Sequence, residues 1–161
     1  MAGPTIRAAR ADEVDALLGI QREAAVAAFA HVFPQDRYPF PVDAIRAAWN
    51  DALTDPAVEV YVAEVDGAPV GSVSVGDAHL RTLYVLPSHW SEGIGSALHD
   101  HALERLAALG FAEARLWTLA ENASGRRFYE HRGWTETGAT RVVPFPPHPL
   151  DVEYVVATVA G

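Results

Sequence analysis

Asn122-Ala123-Ser124-Gly125-Arg126-Arg127-Phe128-Tyr129-Glu130-His131-Arg132-Gly133-Trp134, read with Leu83-Tyr84-Val85-Leu86-Pro87 and Gly93-Ile94-Gly95 upstream, decides how this chain folds. The upstream run reads as a strand stopped by Pro87, then a glycine-bearing turn, then a helix. The downstream run opens a second helix on a polar cap, Asn122, and closes it at Gly133. Gly125 keeps one side of that helix slim. Phe128 is placed to anchor the helix to a core, which leaves Tyr129 about 100° around, on an opening. The amide of Asn122 is expected to remain free for a ligand.

Outward from these two runs, Thr5 to Ala9 reads as a short strand. Asp12 is placed to cap a helix with the apolar stripe Val14, Leu17, Leu18, Ala25 and Ala28, which should fade near Phe33-Pro34. A proline- and aromatic-rich loop, Pro34 to Pro41, leads to a second amphipathic helix with Val42, Ile45, Trp49 and Leu53 on one face. Glu59 to Val65 and Val70 to Val75 alternate about Asp66-Gly67, a hairpin signal. His79 to Leu86 is a third strand of this region. Ile94, Ala97, Leu98, Ala102, Leu106 and Leu109 mark the buried stripe of a helix ended by Gly110. Ala114 to Leu119, Trp134 to Val143 and Val152 to Val159 supply the remaining strands. The order β-α-α-β-β-β-α-β-α-β-β predicts an α/β (α+β) fold with a mixed, mostly antiparallel sheet, in one domain over residues 1–161.

Composition narrows the function. The 161 residues are half hydrophobic and lack cysteine, which excludes disulfides, thiolate metal sites and a cysteine-bound acyl intermediate. A formal net charge of −9 opposes a phosphate backbone, so no nucleic-acid role is expected, and it favours a cationic partner such as an amine. No apolar run approaches the roughly 20 residues that span a bilayer. The N-terminal Met1-Ala2-Gly3-Pro4-Thr5-Ile6-Arg7 lacks a signal-peptide core, which reads as cytoplasmic. His99 and His101 diverge by about 200° on a helix, and the other histidines lack partners at ligand spacing, so no metal is expected.

Gly93-Ile94-Gly95 at a helix start offers unpaired N–H groups and the positive end of the dipole to a phosphate. A dinucleotide-binding fingerprint would need a third glycine where Leu98 stands, and a Walker A loop would need Lys-Ser/Thr where Ser96-Ala97 stand. The other reading of the motif is glycines that merely turn the chain.

Taken together, the two runs resemble the GNAT superfamily of N-acyltransferases. Its cofactor motif, Gln/Arg-x-x-Gly-x-Gly/Ala after a strand ending in valine and proline, matches Trp90, Gly93 and Gly95 after Leu83 to Pro87. Its second motif matches Asn122, Phe128-Tyr129-Glu130 and Gly133-Trp134. Two departures stand out: Trp90 replaces Gln/Arg, and Ser91-Glu92 replace the usual glycine and basic residue.

The resemblance implies direct transfer of an acetyl group from acetyl-CoA to an amine in a ternary complex. It also implies a cofactor set of Leu83, Tyr84, Val85, Trp90, Ser91, Glu92, Gly93, Ile94, Gly95, Ser96 and Asn122. Arg126 and Arg127 are either phosphate partners or solvated. The pantetheine arm would pair with the backbone of Leu83 and Val85, and an amide near Val85 would polarise the thioester carbonyl. Tyr129 matches the general acid, since a phenol with an ordinary pKa of about 10 is protonated at neutral pH.

Counting back from Gly93, His79 falls where one branch of the superfamily carries its general base. Strand alternation would put it on one face with Leu83 and Val85. The other reading of His79 is a strand-end histidine at the surface, and Asp77, Tyr84 or Glu121 could assist. The acceptor pocket is expected from Phe33, Tyr38, Phe40, Trp117 and Phe145, with Tyr84 near and Asp36 or Asp151 to pair an ammonium. The acceptor is expected to be a small amine-bearing molecule. A homodimer through the edge of the closing strands is possible on this reading. The alternative function is a non-catalytic acyl-CoA-binding module.

Overall fold

The computed structural model describes residues 3–159. The elements run β1 (Thr5–Ala8), α1 (Val14–Ala28), α2 (Val42–Thr54), β2 (Val58–Val65), β3 (Ala68–Gly76), β4 (His79–Val85), a 3-10 turn (Pro87–His89), α3 (Ile94–Ala108), β5 (Glu113–Leu119), α4 (Ala123–Glu130), β6 (Thr135–Val142) and β7 (Leu150–Ala157). This is the order the sequence predicts. The strands form one seven-stranded sheet, β1-β2-β3-β4-β5-β7-β6. Every pairing is antiparallel except β4 with β5, which the α3 crossover makes parallel.

Binary patterning sorts the two faces. Val73, Val75, Leu80, Leu98, Leu106, Leu116 and Tyr154 bury one face beneath α3. Leu17, Leu18, Trp49, Val60 and Val62 bury the other beneath α1 and α2, where the Trp49 indole donates to Gln21 Oε1 at 2.8 Å. The hairpin turn at Asp66-Gly67 takes positive φ at both residues. So does Asp77-Ala78 between β3 and β4, a turn without glycine at either central position that the sequence did not announce.

Three local expectations are corrected. Asp12 does not cap α1. Glu13 precedes the helix instead, its carboxylate held by both terminal nitrogens of Arg7 at 2.8 Å and by the Arg10 amide at 2.7 Å. Since Arg7 also grips Glu64, this cluster ties the start of α1 to β1 and β2. The helix ends at Ala28, well before Pro34, because Phe29 leads into tight turns. Leu109 is exposed, because it lies beyond the last turn of α3 and Gly110 (φ +94) turns the chain away.

The decisive feature is where β4 and β5 stop pairing. Their only paired residues are His79 and Arg115, so the strands diverge from there toward Val85 and Leu119. Leu86 N–H donates to Val70 O, so strand alternation turns the N–H and C=O of Val85 away from β3, to the open edge. A wedge with free backbone groups on one side results. Among the described residues no helix is long and apolar enough to cross a membrane.

Candidate active site

Three cavities meet at this wedge. The first, about 530 Å³, runs along the open edge of β4 to the start of α3. Leu83, Tyr84, Val85, Trp90, Ser91, Gly93, Ile94, Gly95, Ser96 and Asn122 all line it, as expected. Ser91 and Gly93 both take positive φ (+67° and +83°), and no side chain caps α3, so its first amides stay open. A Cβ at Gly93 would meet nothing within 4 Å, so its requirement is conformational rather than steric. This donor-rich turn at a helix N-terminus fits a diphosphate.

Glu92, Arg126 and Arg127 do not line this groove. Glu92 meets His89, which stands on the groove wall, at 3.0 Å. Arg126 is consumed internally, bonding Tyr154 Oη at 3.0 Å, the Ala120 carbonyl at 2.8 Å and Glu136. The cation that does line the groove is Arg132, one helical turn beyond Phe128. Its guanidinium stacks 3.7 Å over the Phe128 ring and reaches Ser96 Oγ. An i+4 arginine after an aromatic was the available sequence signal. The Trp90 indole donates to the edge carbonyl of Val85 at 2.8 Å.

Asn122 and Gly125 are a fitted pair. Asn122 Oδ1 accepts from the Gly125 amide, and its Nδ2 donates to Thr118 Oγ1, both at 3.1 Å. The expected free amide is therefore largely engaged in the cap. Gly125 is slim for this reason: a Cβ there would sit 2.1 Å from Nδ2. Tyr129 lines both the groove and the wedge, while Phe128 departs from its expected role as a core anchor. Phe128 faces the groove beside Gly95, while Tyr129 packs against the core. The Tyr129 ring is held by Phe128, Trp134 and His99 at centroid distances of 5.2, 5.7 and 6.5 Å. His99 is itself fixed, accepting from the Trp134 indole at 3.0 Å.

The second cavity, about 670 Å³, lies across the sheet end beneath the loop after α1. Of the residues expected at an acceptor pocket, Phe33, Tyr38, Phe40 and Phe145 line it and Trp117 does not. Gln35 shapes the loop by accepting from the Phe40 amide at 2.8 Å and donating to the Phe33 carbonyl at 2.9 Å. Asp36 is not part of the wall, whereas Arg37, Arg141 and Asp151 are. Between the two lies a chamber of about 240 Å³ inside the β4–β5 wedge, lined by Trp117, Thr118, Asn122, Tyr129, Arg141 and Asp151 among others. Phe29 and Tyr84 border all three cavities. The sequence reading missed Phe29 because it stands just past the end of α1, where helical periodicity no longer places it.

Burial pushes the Tyr84 phenol up to about 12, with the charge of Asp151 adding to the effect. Burial likewise raises Tyr129, with Tyr84 adding and Arg132 opposing. Both phenols are therefore hydrogen-bearing throughout the neutral range.

His79 is not brought to this junction. It lines none of the three cavities, and its Nδ1 lies 2.7 Å from the Asp77 carbonyl. The physical reason is a β-bulge: Ser74 opposes Thr82 and Val75 opposes Leu80, so Arg81 is an extra residue in β4. The bulge reverses the alternation, and Leu80 rather than His79 shares the core face with Leu83 and Val85. Among the described residues no cluster of His, Asp or Glu could hold a metal ion.

Comparison with known proteins agrees with this geometry. The model of the Acetyltransferase (GNAT) family matches residues 20–134. A mycothiol acetyltransferase of Beutenbergia cavernae is 41% identical over 75 residues, 44% of this chain and 25% of that protein. An uncharacterized N-acetyltransferase of Archaeoglobus fulgidus is 39% identical over 83 residues, 44% of this chain and 55% of its own length. The chain thus spans between a quarter and about half of these relatives. The peptidyl-lysine N-acetyltransferase YjaB of Salmonella typhimurium is 28% identical over 90% of this chain and 93% of its own. Among solved structures, a GCN5-related N-acetyltransferase from Rhodopseudomonas palustris superposes with a TM-score of 0.79 at 18% identity, covering 98% and 97% of the two chains. YncA of Salmonella typhimurium with acetyl-CoA superposes at 0.73 and 22% identity, covering 99% and 96%. With the family's cofactor-motif glycines lining a groove that opens beside Tyr129, and with the family model spanning most of the fold, the chain belongs to the GNAT acetyltransferase family.

Proposed function

We propose that this chain is an N-acetyltransferase of the cytoplasm that moves an acetyl group from acetyl-CoA to an amine by direct attack in a ternary complex. One observation carries the reading: a groove suited to a diphosphate and an aromatic cavity each share walls with one chamber, and Tyr129 lines that chamber. A donor and an acceptor entering by separate routes meet there without either leaving.

The chain's residues divide the work. The open amides at the start of α3, with Arg132, hold the diphosphate. The backbone of Leu83 and Val85 lies along the pantetheine arm. Binding there competes with the Trp90 indole for the Val85 carbonyl, so Trp90 turns aside when CoA enters. The edge amide of Val85 donates to the thioester oxygen as charge develops on it. The nitrogen–carbon bond forms, the carbon–sulfur bond breaks, and Tyr129 gives its phenolic proton to the departing sulfur. One proton leaves the attacking nitrogen. Asp151, the only carboxylate lining the chamber among the described residues, receives the amine as an ammonium, which gives up a further proton before attack; of the two, water carries one out and the other restores the Tyr129 phenol. His79 has no part in this route. A homodimer would add its second copy at the free edge of β6.

Thiol release from acetyl-CoA over an amine panel, with CoA binding followed by calorimetry in the same samples, tests the reading. Tyr129→Phe is expected to lower kcat by about 10²-fold or more, the scale of general acid catalysis, with little change in CoA affinity. Wild-type turnover in that variant removes the assignment. CoA binding without turnover on any amine identifies a binding module instead.

A further inference from the structure

The acceptor cavity has an electrostatic character that the chain as a whole does not. The protein carries a formal charge of −9, yet the charged groups on this wall are Arg37, Arg141 and Asp151. Two guanidiniums face one carboxylate, so the wall is net positive. Such a wall repels a polyamine or a lysine-rich peptide and attracts an anionic group.

Arg141 and Asp151 stand directly opposite each other on β6 and β7. They meet through one contact only, Arg141 Nε to Asp151 Oδ2 at 3.0 Å. Among the described residues, neither terminal nitrogen of Arg141 has a partner, and neither does Asp151 Oδ1. The Arg141 guanidinium carbon lies over the Trp117 ring, 4.5 Å from its centroid, which restrains a side chain that is 54% exposed. Asp151 is 9% exposed, and both residues border the chamber as well as the cavity. A cation and an anion thus sit side by side, each with bonding capacity left over. Beyond them the cavity wall is Phe33, Tyr38, Phe40 and Phe145 with prolines between.

Resting on the function proposed above, we propose that Arg141 and Asp151 recognise the two ends of an apolar or aromatic α-amino acid. The carboxylate is received by the terminal nitrogens of Arg141, and the α-amino group by Asp151 Oδ1. The side chain fills the aromatic cavity. A carboxylate and an amine on one carbon match a cross-strand Arg–Asp pair, as a long flexible diamine does not. Asp151 is the member of the pair whose charge acts on the Tyr84 phenol, so the amine it receives lies toward Tyr84 in the chamber that Tyr129 also lines. Arg141 and Asp151 are then specificity-determining residues.

The test compares L-phenylalanine with phenethylamine, L-phenylalaninamide and spermidine as acceptors, by thiol release from acetyl-CoA. Phenylalanine is expected to exceed phenethylamine in kcat/KM by roughly 10- to 100-fold, the worth of a hydrogen-bonded charge pair. Arg141→Gln should bring that ratio to about one, and Arg141→Lys should restore part of it, because the charge returns without the planar fork. CoA affinity in each variant reports that the fold is intact. Phenethylamine or spermidine used as well as phenylalanine, or Arg141→Gln lowering all acceptors alike, overturns this inference and leaves the acetyltransferase reading standing. CoA binding with no turnover on any acceptor overturns both.

Discussion

Gly125→Ala offers the sharpest test of how the site is built. A methyl group there would lie 2.1 Å from Asn122 Nδ2 and 2.7 Å from its Cγ, so the asparagine must swing away. It then loses the cap to the Gly125 amide, worth about 1 kcal/mol, and the bond to Thr118, worth about another. Against this, alanine in place of glycine gains about 0.8–1.0 kcal/mol of helix propensity. The balance is a loss of about 1 kcal/mol. In an Asn122→Ala background there is no cap left to lose, and the same substitution should stabilise by about 1 kcal/mol. The two backgrounds therefore differ by about 2 kcal/mol and in sign. Urea unfolding of the four proteins measures the cycle, and for a chain this size each 1 kcal/mol moves the thermal midpoint by about 2–4 °C. Equal shifts in both backgrounds would refute the fitted pair. So would a stabilising Gly125→Ala in the protein that keeps Asn122.

Two further outcomes follow from the same geometry. Arg7 holds the Glu13 carboxyl down to about 2, below its ordinary value, so the pair's contribution is fully present above about pH 5. It is lost as pH falls toward 2; Glu13→Gln should remove that part of the acid-side slope in denaturation midpoints taken between pH 7 and 2. Gly93→Ala places a Cβ in open space at φ +83°, so only backbone strain opposes it, costing about 1–2 kcal/mol. Calorimetry should show weakened CoA binding as the turn relaxes. An unchanged dissociation constant would mean the turn does not grip the diphosphate.

Much of the molecule was legible in the chain because its signals are local. Asp66-Gly67 between alternating runs gives a hairpin whatever surrounds it, and Gly110 and Gly133 end helices through their own positive φ. The glycines at 93 and 95 and the cap at 122 mark the groove for the same reason: backbone conformation there is set by neighbours in sequence. The aromatic loop from Phe33 to Phe40 reached the second cavity as expected, since so much apolar surface between helices has to be buried somewhere.

What failed were readings that needed partners far along the chain. Arg126 and Arg132 are equivalent as letters. Only the approach of Tyr154 and Glu136 to one, and of Ser96 to the other, decides which cation faces the groove. Simple alternation aligns His79 with Leu83, and the Arg81 bulge breaks that alignment through a mismatch between two strands that neither shows alone. Overall charge could not report how charge is arranged locally, where two arginines and one aspartate share a cavity wall.

The sequence by itself determined the order of elements, the glycine turn before α3 and the tyrosine-bearing helix, because short-range backbone preference and hydrophobic period specify these. Tertiary structure alone decided the wedge between β4 and β5, the meeting of three cavities at Tyr84, and the Arg141–Asp151 pair. These depend on register and on where two strands cease to bond, and no stretch of neighbouring residues carries that information.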